Sequence, residues 1–197
     1  MKYLLIISCL LFTSVGWSKT IDADDLVERE GLYYEKFTDV PFSGEVLKYN
    51  ENGQIQEKGN YKDGKQDGEW LNYNENGQLK DKGNFKDDKL EGETLGYHWN
   101  GQLKYKGNYK DGKQDGEYLI YYENGHLKLK TNNKEGKRDG EWTRYYENGQ
   151  INYKGFKYGE LKEGIELKYY ENGRLEHKGK YKYAKKEGEW LYYWKNG

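Results

Sequence analysis

Gly68-Glu69-Trp70-Leu71-Asn72-Tyr73-Asn74-Glu75-Asn76-Gly77-Gln78-Leu79-Lys80-Asp81-Lys82-Gly83-Asn84-Phe85-Lys86-Asp87-Asp88-Lys89-Leu90-Glu91 is one unit of a repeat that decides the fold. Its Asn76-Gly77 pair recurs at 52–53, 100–101, 124–125, 148–149, 172–173 and 196–197, always 24 residues apart. Gly68 keeps the same beat, with partners at Gly44, Gly92, Gly116, Gly140, Gly164 and Gly188. A fixed period of this size, free of insertions, is the mark of a stacked repeat architecture.

Within the unit, 69–74 and 78–85 read as strands, because aromatic and aliphatic residues alternate along them. Glu75-Asn76-Gly77 separates the two and is a strong hairpin signal, since Asn and Gly both tolerate left-handed backbone angles. Lys86-Asp87-Asp88-Lys89, and Lys62-Asp63-Gly64-Lys65 one repeat earlier, read as a second turn leading to the next hairpin. Helix is disfavoured, because each interior glycine costs about 1 kcal/mol there. The fold expected is all-β: an elongated antiparallel meander of 24-residue β-hairpin repeats, single-layered or curled. It would hold about 13 strands and extend roughly 60 Å.

Register decides which residues share a face. A three-residue loop with left-handed Gly77 opposes Tyr73 to Leu79 and Asn74 to Gln78. That register sets a uniform tyrosine column (Tyr49, Tyr73, Tyr97, Tyr121, Tyr145, Tyr169, Tyr193) against a uniform aliphatic one (Ile55, Leu79, Leu103, Leu127, Ile151, Leu175). The packed face expected from it carries Leu71, Tyr73, Leu79 and Phe85; the open face carries Trp70, Asn74, Lys80 and Lys82. The column Val46, Trp70, Thr94, Tyr118, Trp142, Glu166, Trp190 varies too widely for a core, Glu166 above all. Asp88 in the column of Gly64 marks the second turn as the looser one, so valine at Gly125 is expected to cost more than valine at Gly64.

Domain organisation follows from where the repeat begins. Residues 44–197 form the array. Residues 19–43 are a cap, of which 31–43 look like a degenerate half-repeat with Phe37 in the Phe85 column and Pro41 on an edge; residues 19–30 are acidic and frayed or a short cap. The Gly155–Glu163 turn departs most from consensus, since Tyr158-Gly159-Glu160-Leu161 replaces Lys-Asp-Gly-Lys, and the edge at 189–194 is expected to be exposed. Residues 1–18 read as a signal peptide: Lys2 is the positive start, Tyr3–Val15 an apolar run too short to span a bilayer, and Gly16-Trp17-Ser18 a small-residue cleavage site. Cys9 sits too early in that run for a lipoprotein box. Cutting after Ser18 removes Cys9, the only cysteine, so no disulfide holds the array. Localisation is expected to be exported, periplasmic or secreted.

The composition excludes several function classes. Charged residues make up 34% and mean hydropathy is −1.27, yet 17% aromatics give the chain enough ring area for a thin core. A formal net charge of −1 gives no bulk attraction for nucleic acid. His98, His126 and His177 fall in three different repeat columns, and neither a metalloprotease motif nor a nucleophile elbow is present. Glu69, Glu93, Glu117, Glu141 and Glu189 form a column that faces a lysine column (Lys58, Lys82, Lys106, Lys130, Lys154, Lys178); Asp63, Asp67, Asp111, Asp115 and Asp139 lie in turns. A catalytic pair is singular, whereas these recur, so they read as a charge ladder. No catalytic residue, metal or cofactor is expected. Candidate binding residues are the aromatics assigned to the open face: Trp70, Tyr118, Trp142 and Trp190 in one column, and Tyr122, Tyr146, Tyr170 and Trp194 in another.

The consensus Gly-Glu-Trp-x-x-Tyr-Tyr-Glu-Asn-Gly-Gln-Leu-Lys-x-Lys-Gly-x-Tyr-Lys-Asp-Gly-Lys-x-Asp-Gly resembles the MORN-repeat variant, and more particularly the bacterial YwqK antitoxin-like family, over about residues 44–197. The resemblance implies an antiparallel β-meander, with protein assembly or membrane attachment as the role of the broader group. Function is therefore expected to be non-enzymatic protein–protein interaction along an extended β surface. The alternatives are a module binding cell-wall glycan or lipid head groups through its aromatic rows, and an antitoxin or immunity-like protein.

Overall fold

A computed structural model describes residues 19–196; the segment 1–18, read above as a signal peptide, lies outside the described residues. Apart from a two-stranded sheet in the cap, the described strands form one long sheet in which successive repeat strands lie side by side. Gly68–Tyr73 and Leu79–Lys86 form one repeat hairpin, and Lys137–Tyr145 and Ile151–Tyr158 another. The sheet holds 16 strands and is mixed in one place only among the described residues: Thr20–Asp22 runs parallel to Gly44–Tyr49 at the N-terminal edge. The count exceeds 13 partly because short pieces such as Lys65–Gln66 and Lys89–Leu90 are cut off by breaks at Asp67 and Glu91.

The Asn-Gly turn has the three-residue loop expected. Tyr73 faces Leu79, Asn74 N–H donates to Gln78 O at 2.8 Å, and Gly77 has φ +79°. Asparagine contributes differently from glycine: it is not left-handed, and acts through its side chain. Asn76 Oδ1 accepts from Gln78 N–H at 3.0 Å within its own turn. Further along, asparagine Nδ2 donates to the next repeat, from Asn124 to Glu147 O at 2.9 Å and from Asn148 to Glu171 O at 3.1 Å. At Asn100, Asn124, Asn148 and Asn172 one side chain thus closes its own turn and ties it to the next.

The second turn is the tighter of the two. Lys62 pairs with Lys65 across a two-residue loop with both central residues left-handed, Asp63 at φ +50° and Gly64 at +80°. This is the I′ geometry that matches strand twist. The ranking of the two turns is therefore corrected. A Cβ on Gly125 would meet a movable group, Gln102 Oε1 at 3.1 Å, whereas one on Gly64 would stand 3.0 Å from both Leu32 Cβ and Tyr33 O. The turn carboxylates also have a use: Glu91, Asp115 and Glu163 accept from backbone N–H groups 20 residues on, at Asp111, Glu135 and Tyr183.

The cap is ordered. Leu26–Arg29 and Leu32–Glu35 form a separate two-stranded sheet, and Ile21, Leu26 and Tyr33 pack against buried Phe42, Val46, Tyr61 and Trp70. Phe37 does not take the core position expected of it: it is fully exposed in a turn at φ +64°, and Phe42 fills the place. Pro41 bridges to Tyr34. At the other edge lies Lys185–Tyr192, with Tyr192, Tyr193 and Trp194 exposed.

Candidate functional site

On the first strand of each hairpin the two faces are the reverse of the expectation, and one residue per repeat is the cause; Phe85 and Lys82 on the second strand keep the sides expected of them. Asn72 pairs with Asp81 and Tyr73 with Leu79, so Lys80 is an extra residue bulged out of the ladder. A bulge shifts alternation by one. Beyond it Leu71 faces Lys82, and Trp70 faces Gly83 on the same side as Phe85. The same shift recurs in the other Asn-Gly hairpins of the sheet, as at Ile120/Tyr121 and Arg144/Tyr145. The variable column is therefore the buried one: Val46 and Trp70 are 3% exposed, Thr94 and Trp142 8%, Glu166 6%. Tyr73, Tyr121 and their equivalents are only half-buried, and Tyr49 is 44% exposed.

Glycine makes this row possible. Three of the large rings lie on the backbone of a glycine in the neighbouring strand: a Cβ on Gly59 would stand 2.2 Å from Trp70 Cδ2, and Gly107 and Gly179 carry Tyr118 and Trp190 as closely, whereas Trp142 faces Thr131. Trp70 is further held by Tyr61 and Phe85, centroids 5.3 and 6.0 Å away, and donates from Nε1 to Asn60 O at 3.2 Å. Trp142 stacks on Tyr153 at 4.4 Å. Burial within such rings pushes the Tyr105 hydroxyl up to about 12.

The structure therefore moves the candidate binding residues off the open face. Trp70 and Trp142 are core; Tyr118 and Trp190 are half-buried in the same row. Tyr122, Tyr146 and Tyr170 staple one repeat to the next, donating from their hydroxyls to Tyr145 O, Tyr169 O and Tyr193 O at 2.8–2.9 Å. Trp194 alone among the eight is broadly exposed, at 84%. The three histidines are not brought together as one cluster. His98 takes the staple position against Tyr121 O at 3.0 Å, and His126 meets Glu147 O. His177 lies 3.3 Å from Glu166.

Glu166 enters the buried row because its charge is matched. Lys162 Nζ donates to Oε2 at 2.7 Å and His177 sits on Oε1. Burial still holds the Glu166 carboxyl above the usual glutamate range. The Lys162 ammonium is pushed down by burial, and further by Lys157 and Lys186. On the opposite face the charge ladder is present, with Lys58–Glu45, Lys130–Glu117 and Lys154–Glu141 at 2.5–2.8 Å. These are exposed pairs, each contributing up to about 1 kcal/mol. Among the described residues no group of three or more histidine, cysteine, aspartate or glutamate side chains could hold a metal ion. No helix among them is long and apolar enough to cross a membrane, which says nothing of crossing by strands.

What stands out on the open face is where the repeat is broken. Phe156 replaces the asparagine found at 60, 84, 108 and 132. Tyr158 and Leu161 replace lysines found at the equivalent positions of the other turns, and Ile165 replaces the ladder glutamate. Tyr158 pairs directly with Leu161, while Phe156 and Ile165 point to the same side. All four are exposed, at 38%, 55%, 50% and 59%, and Tyr183 in the adjacent turn is 73% exposed. Four polar-to-apolar changes on one solvent face do nothing for a core. Contiguous exposed apolar groups of this kind mark interaction sites. Sequence reasoning singled out Gly155–Glu163 as aberrant; it needed the face assignment to see that Phe156 shares a side with Tyr158 and Leu161 and that Ile165 belongs with them.

The MORN repeat variant family matches the chain at residues 42–63, 66–87, 90–111, 114–132, 138–156 and 162–183. The matches cover well over half of the sequence, and the chain belongs to this family of non-catalytic repeat modules that mediate protein or membrane interactions. No curated protein matches the sequence.

Proposed function

We propose that the chain is a non-enzymatic interaction protein that docks a protein partner on the open face of its sheet, at the patch formed by Phe156, Tyr158, Leu161 and Ile165. The observation that carries this reading is the coincidence of four apolar departures from a polar consensus at one exposed place. Aromatic and aliphatic anchors within a charged surround are the usual energetic centre of a protein interface. The Lys154–Glu141 ladder supplies that surround. Glycan stacking on the tryptophan row loses its support, because buried Trp70 and Trp142 offer no free ring face.

Export is part of the same proposal and rests on Lys2, the Tyr3–Val15 run and a cut after Ser18. The finer kinship with the YwqK antitoxin-like family likewise rests on the repeat residues quoted above. The experiment is a crosslinked pull-down from the host envelope with the exported chain. It is compared with a variant returned to consensus, Phe156→Asn, Tyr158→Lys, Leu161→Lys and Ile165→Glu. A partner captured by the wild type and lost from the variant is expected. Identical captures would contradict the reading.

A further inference from the structure

The buried face carries a second departure from the repeat, one hairpin before the apolar patch, and its chemistry is different. Arg138 stands where other repeats have Gln66, Leu90, Gln114, Lys162 and Lys186, and Arg144 where they have Lys48, Asn72, Gly96, Ile120, Lys168 and Tyr192. These are two of only four arginines in the chain. Both guanidinium groups sit over one indole: Arg138 is 5.2 Å and Arg144 5.7 Å from the Trp142 ring. Stacking on a ring leaves the N–H edge of a guanidinium free to donate. Among the described residues neither arginine has a carboxylate or a hydrogen-bond acceptor as side-chain partner.

Directly across the strand from Arg138 is Asn133, which replaces the ring found at Tyr61, Phe85, Tyr109 and Tyr181. It is 5% exposed, and its Nδ2 group has no partner. A buried amide donor left unsatisfied is destabilising, so its retention across from the unpaired Arg138, with Arg144 on the other side of the same indole's position along the strand, calls for an acceptor. The next repeat shows which acceptor fits. There Lys162 takes the Arg138 position and Glu166 the Trp142 position, and the array supplies its own carboxylate, 2.7 Å from Lys162 Nζ. At the Arg138 hairpin that carboxylate is missing.

We propose that Arg138, Arg144 and the Asn133 side-chain amide form a binding site for a carboxylate supplied from outside the chain. The two guanidiniums provide charge and paired donors, and the amide a third, neutral donor; charge-assisted bonds of this type are the strong ones. The site lies on the face opposite the apolar patch and goes beyond the function proposed above.

The test is 1H–15N NMR of the full chain, following the Asn133 side-chain amide and the arginine Nε–H signals. Acetate, tetraglutamate, phosphate and sulfate are titrated separately at fixed ionic strength. Saturable shifts with acetate or tetraglutamate at those three residues are expected, weakened roughly tenfold or more in Arg138→Gln, a change the repeat already tolerates at Gln66 and Gln114. Acetate binding as well as tetraglutamate would point to a small free carboxylate, and much tighter tetraglutamate to carboxylates borne on a chain. No saturable shift with either, shifts unaltered in Arg138→Gln, or a response to phosphate and sulfate alone would overturn the assignment.

Discussion

Trp70→Ala and Tyr121→Ala should rank in the order set by the bulge, not by the uniformity of their columns. Trp70 is 3% exposed, lies on Gly59, touches Tyr61 and Phe85 edge-on, and holds Asn60 O through its indole N–H. Removing it opens a hole in the cluster that joins the cap to the array. The loss expected is about 3–5 kcal/mol, the range for a buried tryptophan. Tyr121 is half-buried, so its truncation removes less packing and should cost about 1–2 kcal/mol. Because repeat arrays can unfold in sections, the assay is urea denaturation with hydrogen exchange read peptide by peptide. Trp70→Ala should raise exchange over 42–86 in particular. A Tyr121→Ala loss equal to or larger than that of Trp70→Ala would refute the face assignment.

Gly64→Val should destabilise more than Gly125→Val, since both sit at positive φ but only Gly64 has backbone within 3.0 Å of its added Cβ; paired urea midpoints decide. Tyr146→Phe should cost about 1 kcal/mol and speed exchange in the 169–172 turn it staples. The Glu45 carboxyl is held below the ordinary range chiefly by the hydrogen bond from Lys58. A lowered folded pKa stabilises above the unfolded value and is lost as pH falls through the folded one. The melting-temperature gap between wild type and Glu45→Gln should therefore be present at pH 6 and close as pH drops below the usual glutamate range. Intact mass of protein from the host envelope should correspond to a chain starting at Lys19; a cytosolic chain starting at Met1 would remove the export proposal and favour the antitoxin reading.

Much of the fold was legible because a 24-residue beat repeats every local signal several times over. The strand–loop–strand unit, the Gly77 conformation, the Tyr73–Leu79 register and the Glu–Lys ladder all follow from columns that can be read without knowing any contact. The faces were not legible. A bulge at Lys80 leaves no composition signal, since a lysine looks the same bulged or paired, yet it exchanges the sides of everything beyond it. Uniformity also misled. The tyrosine column is constant yet only half-buried, while the buried row varies because each ring size is matched by glycine, threonine or an ion pair next to it. Phe37 misled in the same way, since its spacing put it in a core column that the cap fills with Phe42. The proposed docking patch was partly visible: the aberrant Gly155–Glu163 turn, Phe156 within it, could be seen, but Ile165 joins it only once the faces are known.

Hydroxyl-radical footprinting of the free protein tests the central claim, that the bulge turns the tryptophan row inward, most directly. Trp99 and Trp194 are 65% and 84% exposed, against 3% and 8% for Trp70 and Trp142. The account predicts rapid oxidation of the first pair and protection of the second under conditions where the array stays folded. Oxidation of Trp70 and Trp142 at the rate of Trp194 would contradict it.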